Sequence, residues 1–487
     1  MKHQYLLPLF AGIVVMLAGC APSTEEIMTH YNQEMLTGKF DVSMPYIQEA
    51  LLDDEDNSDE DTPLLRLMSA GAKLHQGAFN DTLTELDAAE DVWLENDGKT
   101  ANHTSAMVIN DQSYAFDPGL QDRMFAGLYK ALIFGAQGKK NGARTELNRM
   151  MQYQENWLHK QRERIADAEK SRRESINADD DNTPDAAAGH NAEIKAETDN
   201  NINTLMRNRN FNRELRQATG IDVKRDGNID RLTPEDYQNA YATHICGVFR
   251  WLNHDNAAAY LRDARKLNRR NPVVAKDLRD IRNNVIPRNE VWIYVEDGLC
   301  PVRDEVRLDL PLALIPGLNR YVLYAGIALP KLVMRDYAAK SYTVNGIPMT
   351  ELENIDRLRK IEYAIYMRHA VIRELTRCLV RTVCPQVAAG VVANNSSEDA
   401  VRWSCLGFQV AWASYCAGVT QADLRSWGAL PKRVLVLRMP RPGNGIITLN
   451  ADNQPLEIQL PAGNNIVWVR KAAVTAPFIT MTVNFAD

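Results

Sequence analysis

The spacing of apolar side chains changes at Pro287, and no single type of element accommodates both patterns. Before that point apolar residues recur every three to four positions. Leu64, Leu67, Met68, Gly71, Ala72 and Leu74 form one stripe, and Leu83, Leu86, Ala89 and Trp93 form the next. A period of about 3.6 puts each stripe on one helix face, which must be covered by a neighbour. After Pro287 the pattern becomes continuously apolar or alternating, as in Val291-Trp292-Ile293-Tyr294-Val295 and Glu305-Val306-Arg307-Leu308-Asp309-Leu310. Those are strand patterns. They predict an α+β chain with a helical domain over 20–286 and a mixed α/β domain over 287–487, consistent with the two or three domains that 487 residues allow.

The helical part reads as repeated helix–turn–helix units. Gly38-Lys39-Phe40 leads into Met44 to Leu51, and Gly77-Ala78-Phe79 separates the two stripes above. Met124 to Phe134 turns at Gly138-Lys139-Lys140 toward Ala143 and Leu147. Tyr237, Tyr241, Ile245, Phe249 and Leu252 pass through His254-Asp255-Asn256 to Ala258, Leu261 and Ala264. This resembles tetratricopeptide-type repeats, and so implies a helical solenoid. The spacing of the units is irregular, and an irregular helical bundle satisfies the same stripes.

Charged insertions interrupt the units. Asp53 to Asp61 carries seven acids in nine residues and reads as a solvated inter-helix loop. A larger insertion at about 158–232 is expected to be partly disordered. Within it Trp157 to Ser175 reads as a solvated helix leaving the bundle, and Asn177 to Asn191 as flexible. Asp222 to Asp230 aligns with a calcium loop at Asp222, Asp226, Gly227, Asn228 and Asp230. Lys224 then occupies a ligand position, and Thr233 stands where a bidentate Glu is required, so no metal is expected. Thr233-Pro234-Glu235-Asp236 reads as an N-cap starting the fourth helix pair.

In the second part Asp356 to Val383 returns to helix. Ile361, Ile365, Ile372, Leu375 and Leu379 form its stripe, and Arg357, Arg359, Lys360, Arg368, Arg373, Arg377 and Arg381 lie on its other faces. A more apolar helix at about Ala400 to Ala417 is expected to pack against it. Five strand patterns follow at 434–439, 446–449, 456–460, 466–469 and 478–485, punctuated by Gly443-Asn444-Gly445, Asp452-Asn453 and Gly463-Asn464-Asn465. They predict a small antiparallel sheet or sandwich.

The chain starts with Lys2 and a short apolar run from Tyr5 to Ala18, a secretory leader over 1–19 too short to span a bilayer. Leu17-Ala18-Gly19-Cys20 resembles the lipobox of bacterial lipoproteins, which implies acylation (palmitate among the chains) at Cys20. Ala21 after the cysteine implies sorting to the outer membrane, facing the periplasm. Leu310 to Met334, the most apolar later stretch, contains Pro311, Pro316, Arg320, Pro330 and Lys331 and is no span. Six further cysteines remain: Cys246, Cys300, Cys378, Cys384, Cys405 and Cys416. An oxidising periplasm permits either a staple between the helices carrying the last four or buried free thiols.

Net charge −7 and a pI near 5.8 argue against nucleic acid as a partner. No nucleophile elbow, P-loop, dinucleotide fingerprint or zinc-protease motif is present, and the nine histidines are scattered. His244 and His254 read as packing or capping residues. No enzyme activity, cofactor or metal is therefore expected. Glu296-Asp297-Gly298-Leu299, Tyr324 to Lys331, Tyr260 to Leu267 and Asp423-Leu424-Arg425-Ser426-Trp427 with Leu430-Pro431 resemble an uncharacterised family of bacterial lipoproteins. Its members have a helical-repeat first half and a mixed second half. They are often encoded beside activators of penicillin-binding proteins, so the resemblance implies a cell-envelope accessory role without catalytic residues. The expectation is a lipid-anchored scaffold that meets envelope proteins through its helices and the membrane through its anchor, in peptidoglycan synthesis or outer-membrane assembly. Peptidoglycan is a further candidate partner. A wall-acting enzyme with its site in the second part, or a surface adhesion lipoprotein, are the alternatives. Glu296, Asp297, Arg425 and Trp427 are the candidate binding residues, since charged and aromatic groups near loop ends commonly meet ligands.

Overall fold

The computed structural model describes residues 22–53, 60–98, 115–177, 185–311 and 321–485. Cys20 with the leader, and most of the acidic 53–61 segment, lie outside them. The chain is α+β, with a helical first region and β-sheets in the second.

The stripes become helix hairpins. α1 (Thr24–Glu34) turns at Gly38 into α2 (Ser43–Asp53), α3 (Thr62–His75) at Gly77 into α4 (Phe79–Gly98), and α5 (Leu120–Ala136) at Gly138 into α6 (Lys140–Asn177). Gly77 has φ +74° and open space where a Cβ would sit, so backbone conformation alone requires glycine there. α6 buries Leu147, Met150 and Trp157, and none of its described side chains from Leu158 to Lys170 is buried. α7 (Asp185–Ala196), α8 (Thr198–Arg207), α9 (Arg209–Thr219) and the single turn α10 (Val223–Asp226) follow. The expectation of irregular chain over 177–191 is corrected for 185–191, which is helical; the alanine-rich Asp185 to Ala188 favours that state. Residues 178–184 lie outside the described residues.

A helix does start at Thr233, but the expectation that it opens the fourth helix pair is corrected. Thr233 and Asp236 form a capping box for the single turn α11 (Pro234–Tyr237), but Gln238 is extended and breaks the helix. Asn239 then caps α12 (Ala240–Leu252), which turns at His254, φ 58°, into α13 (Ala258–Leu267), followed by α14 (Pro272–Arg282).

The second region opens with β1 (Glu290–Asp297), β2 (Val302–Asp309), β3 (Gly326–Val333), β4 (Tyr342–Val344), β5 (Ile347–Pro348) and β6 (Thr350–Asn354). α15 (Ile355–Arg377) runs through a π-helical stretch at Cys378–Val383 into α16 (Cys384–Asn395), and α17 (Asp399–Val419) packs back on α16. β7 (Arg433–Pro440), β8 (Ile446–Ala451), β9 (Gln454–Gln459), β10 (Asn464–Lys471) and β11 (Phe478–Phe485) complete the chain. The main sheet has the order β11-β10-β1-β7-β6. It is mixed rather than antiparallel, because β1 pairs parallel with β10 across the whole intervening chain. β5-β4-β8-β9 form a second sheet and β2-β3 a third.

Strand alternation divides the main sheet into two buried faces. Trp292, Tyr294, Val434, Val436, Ile466 and Trp468 face the helices. Val291, Ile293, Val295, Leu435, Val467 and Val469 face Tyr342, Val344, Ile447 and Leu449 of the β4–β8 sheet. Being covered on both sides is what the continuously apolar 291–295 run encodes. One apolar core therefore joins α1 to α6 and α11 to α14 with the sheet across residue 286. Trp292 and Trp468 are fully buried; each removes about 150–250 Å² from water, roughly 4–6 kcal/mol before entropy. A separate core holds α15, α16, α8, α9 and the β2–β3 ribbon. All six described cysteines are free thiols, Cys405 partly exposed and the rest buried, so the helix staple is absent. No helix among the described residues is long and apolar enough to cross a membrane.

Candidate functional site

A cavity of 860 Å³ opens where α10, α11, the first turns of α15 and the Met334–Tyr337 segment meet. Local capping places each wall. Asp222 caps α10 by accepting from the Arg225 amide, and Asn354 Oδ1 caps α15 by accepting from the Arg357 amide at 3.0 Å. Gly227 lets the turn after α10 press on α15: a Cβ there would lie 2.5 Å from the Ala364 carbonyl oxygen and 2.8 Å from that of Val223. Tyr337, partly exposed, forms the opposite wall, with the Arg433 guanidinium 4.2 Å and Lys432 Nζ 4.9 Å from its ring centre.

Five basic residues line this cavity, Arg225, Arg231, Arg357, Lys360 and Lys432, against three acids, Asp226, Asp236 and Asp356. The acids are engaged. Asp226 Oδ2 accepts from the Asp222 amide at 2.9 Å, Asp236 Oδ2 accepts from the Thr233 amide and hydroxyl, and Asp356 Oδ2 accepts from Lys432 Nζ. Arg357 is held by the Asp236 carbonyl at 2.7 Å and by Glu353 at 3.1 Å. Arg225, Arg231 and Lys360 are exposed and form no ion pair among the described residues. Asp356 Oδ1 is buried without a partner, and burial raises the Asp356 pKa from its ordinary value despite Lys432. The net result is a basic pocket in an acidic chain, with Ile221, Leu232, Met334 and Ile361 supplying apolar lining.

None of the four residues singled out in the sequence lines this cavity, and they do not form one site. Glu296 and Asp297 are consecutive on β1 and point to opposite faces of the sheet. Glu296 is fully buried on the helix side, accepting from Tyr129 Oη at 2.9 Å and Tyr241 Oη at 3.1 Å, with Arg470 Nε 3.9 Å away. Burial raises its pKa against the pull of Arg470. Asp297 accepts from the Ala338 and Ala339 amides, Tyr342 Oη and Arg433 Nε, all within 2.8 to 3.1 Å. It thereby holds both Arg433 and the chain just after Tyr337, which makes it a positioning residue for one pocket wall. Arg425 bridges Asp423 at 2.9 Å and Asp61 at 2.8 Å, and Trp427 is fully buried edge-on to Tyr129. Cys20 lies outside the described residues.

No protein-family model, curated protein or solved structure matches this chain. The chemistry must therefore be read from the pocket. It has the size of a small-ligand site, unengaged cations, an aromatic wall and some apolar surface, which together suit an anion with an apolar portion. Among the described residues no three His, Cys, Asp or Glu side chains are arranged to hold a metal ion. His244 is buried in a network instead, with Nε2 2.8 Å from Asp277 Oδ2 and Nδ1 2.9 Å from Tyr294 Oη. The pocket residues come from segments far apart in sequence. Only the Asx-rich 222–230 stretch, with Gly227 inside it, marks one wall in advance.

Proposed function

We propose that this chain is a non-catalytic, lipid-anchored envelope protein whose α10–α15 pocket binds a small carboxylate-bearing ligand of the cell wall, such as a peptidoglycan stem peptide. The carrying observation is the trio of unpaired cations, Arg225, Arg231 and Lys360, around carboxylates that are already engaged. An acyl-Cys20 anchor in the outer membrane would hold the pocket at the periplasmic face. The helix hairpins, as a tetratricopeptide-like solenoid, would offer their outward faces to partner envelope proteins, since their inward faces are covered by the main sheet. The wall-enzyme alternative has less support: two of the three pocket carboxylates are tied to backbone amides, leaving no free acid–base pair.

Titration calorimetry with a muropeptide and with its fully amidated counterpart tests this reading. Arg231→Ala and Lys360→Ala are each expected to weaken muropeptide binding about tenfold, since a charge-assisted hydrogen bond contributes on that scale. Equal affinity for the charged and amidated ligands, or no effect of either substitution, would refute it.

A further inference from the structure

The outward face of α17 departs from what a surface helix normally shows. Its inward stripe is Gln409, Ala413 and Cys416, which are buried. The other side carries Trp403, 71% exposed, Tyr415, 57% exposed, and Val410, 51% exposed, with Leu406 and Phe408 also exposed. From Trp403 to Thr420 there is not one charged residue. Surface helices of soluble domains place charged and polar groups on that face. Here about 18 Å of helix, from Trp403 to Tyr415, presents Trp, Tyr, Phe, Leu and Val to the outside. Contiguous apolar surface of this kind marks an interaction site.

Three observations select the occupant. Trp and Tyr among aliphatic side chains are the composition of a helix lying at a membrane–water interface. Among the described residues of the helix, charges sit only at its ends, and each end carries a cation beside an acid: Arg402 lies 3.9 Å from Asp399, and Arg307 pairs with Glu305 at 2.7 Å. Arg402 donates to the Ser396 carbonyl at 2.9 Å at one end, and Arg307 donates to the Ala417 carbonyl at 2.8 Å at the other. Polar ends around an uncharged apolar face let the helix lie flat at the headgroup level with its ends in the wet layer. The third is where the chain enters the fold. α1 runs alongside β2, because Gly428 is wedged between Asn32 and Val302 while Glu25 senses the charges of Asp304 and Glu305. Glu305 in turn accepts from the Ala422 amide at 2.9 Å, just beyond the end of α17. The start of α1 and the last turn of α17 therefore lie beside the same Glu305–Arg307 stretch. Cys20 is three residues before Ser23, a reach of about 10 Å in extended chain.

We propose that the Trp403–Tyr415 face of α17 lies in the lipid bilayer interface beside the Cys20 anchor, fixing the orientation of the protein on the membrane. The proposal rests on the anchor reading above. An anchor alone leaves the domain free to tumble on its tether; a second contact about 18 Å long would hold one side against the bilayer.

The test uses the full lipidated chain reconstituted in vesicles of phosphatidylethanolamine and phosphatidylglycerol at 3:1, with lipids brominated along the acyl chain. Flotation reports the anchor, and quenching of tryptophan emission reports docking. Quenching is expected in the wild type, with most of it lost in Trp403→Phe and in Val410→Glu; both side chains are exposed, so neither change disturbs the core. Protein that floats with unquenched, acrylamide-accessible Trp403 would overturn the docking and leave the anchor standing. Failure to float would overturn both. A detergent-solubilised dimer that Val410→Glu splits would assign the face to a second copy and also overturn the proposal.

Discussion

His75 sets a measurable acid sensitivity at the junction of helices and sheet. It ends α3, is 4% exposed, and has Nδ1 2.7 Å from the Gly71 carbonyl oxygen. A carbonyl only accepts, so Nδ1 carries the proton and Nε2 is left buried without a partner. Burial first, and the Arg470 charge second, push the His75 pKa down to about 3 from an ordinary 6.5. The unfolded chain therefore takes up a proton between about pH 6.5 and 3 that the folded chain refuses, and stability falls as pH drops through that window. Linkage for one such site gives a loss of about 2 kcal/mol between pH 7 and pH 5. His75→Phe keeps a planar ring beside Phe40, whose centroid is 6.5 Å away, and removes the titration. Urea unfolding followed by circular dichroism at both pH values should show the wild type losing about 2 kcal/mol more than His75→Phe on acidification. Equal losses in the two proteins would refute the assignment of a buried, neutral His75.

Two further substitutions probe the helical region and the pocket. Lys130 is 1% exposed and binds Glu90 at 2.5 Å, Glu146 at 3.1 Å and Asp87 at 3.0 Å, so Lys130→Ala leaves Glu90 and Glu146 buried with Arg149 alone between them. A loss of about 3–5 kcal/mol is expected by denaturant titration, and a loss under about 1 kcal/mol would show that the pair is hydrated. Gly227→Ala should cost about 1–3 kcal/mol and weaken muropeptide binding, because α10 must move off α15 to admit the methyl group; unchanged binding would show that this contact does not shape the pocket.

Much of the secondary structure was legible because local chemistry decides it. The first three turns of the tail contain residues that take positive φ, Gly445 at 70°, Asp452 and Asn453 at 43° and 72°, and Gly463 at 95°, and these punctuate the pattern from β7 to β10. The helix hairpins were legible for the same reason at Gly77 and Gly138. Pairing was not. β1 and β10 are joined in parallel from Val291↔Asn465 to Asp297↔Lys471, and nothing local to either strand names a partner so distant. Gln238 still donates its amide to the Pro234 carbonyl, the last helical bond, but its backbone turns extended so that Asn239 can cap a new helix, a competition between two good caps that spacing alone does not resolve.

The binding pocket was illegible for a deeper reason, which the basic residues of α15 make plain. In the sequence Arg359 and Lys360 are neighbours of the same sign on the same helix. In the fold Arg359 is nearly buried, 3.0 Å from Asp122 and 3.1 Å from Glu362, and serves the packing of α15 on α5. Lys360, one position on and about 100° around the helix, faces the cavity with no ion pair among the described residues. Arg377 is neutralised by Glu374 one turn away. What separates a structural cation from one open to a ligand is therefore where the acids fall: Glu362 and Glu374 on the same helix, and for Arg359 also Asp122, more than 200 residues away. The same holds at β1. Asp297 was singled out as a ligand contact, yet its four donors make it the brace for Arg433 and the Tyr337 wall. Charge in this chain acquires a role only after the distant partners have been assigned, so a basic pocket can form in a protein whose sum of charges is −7.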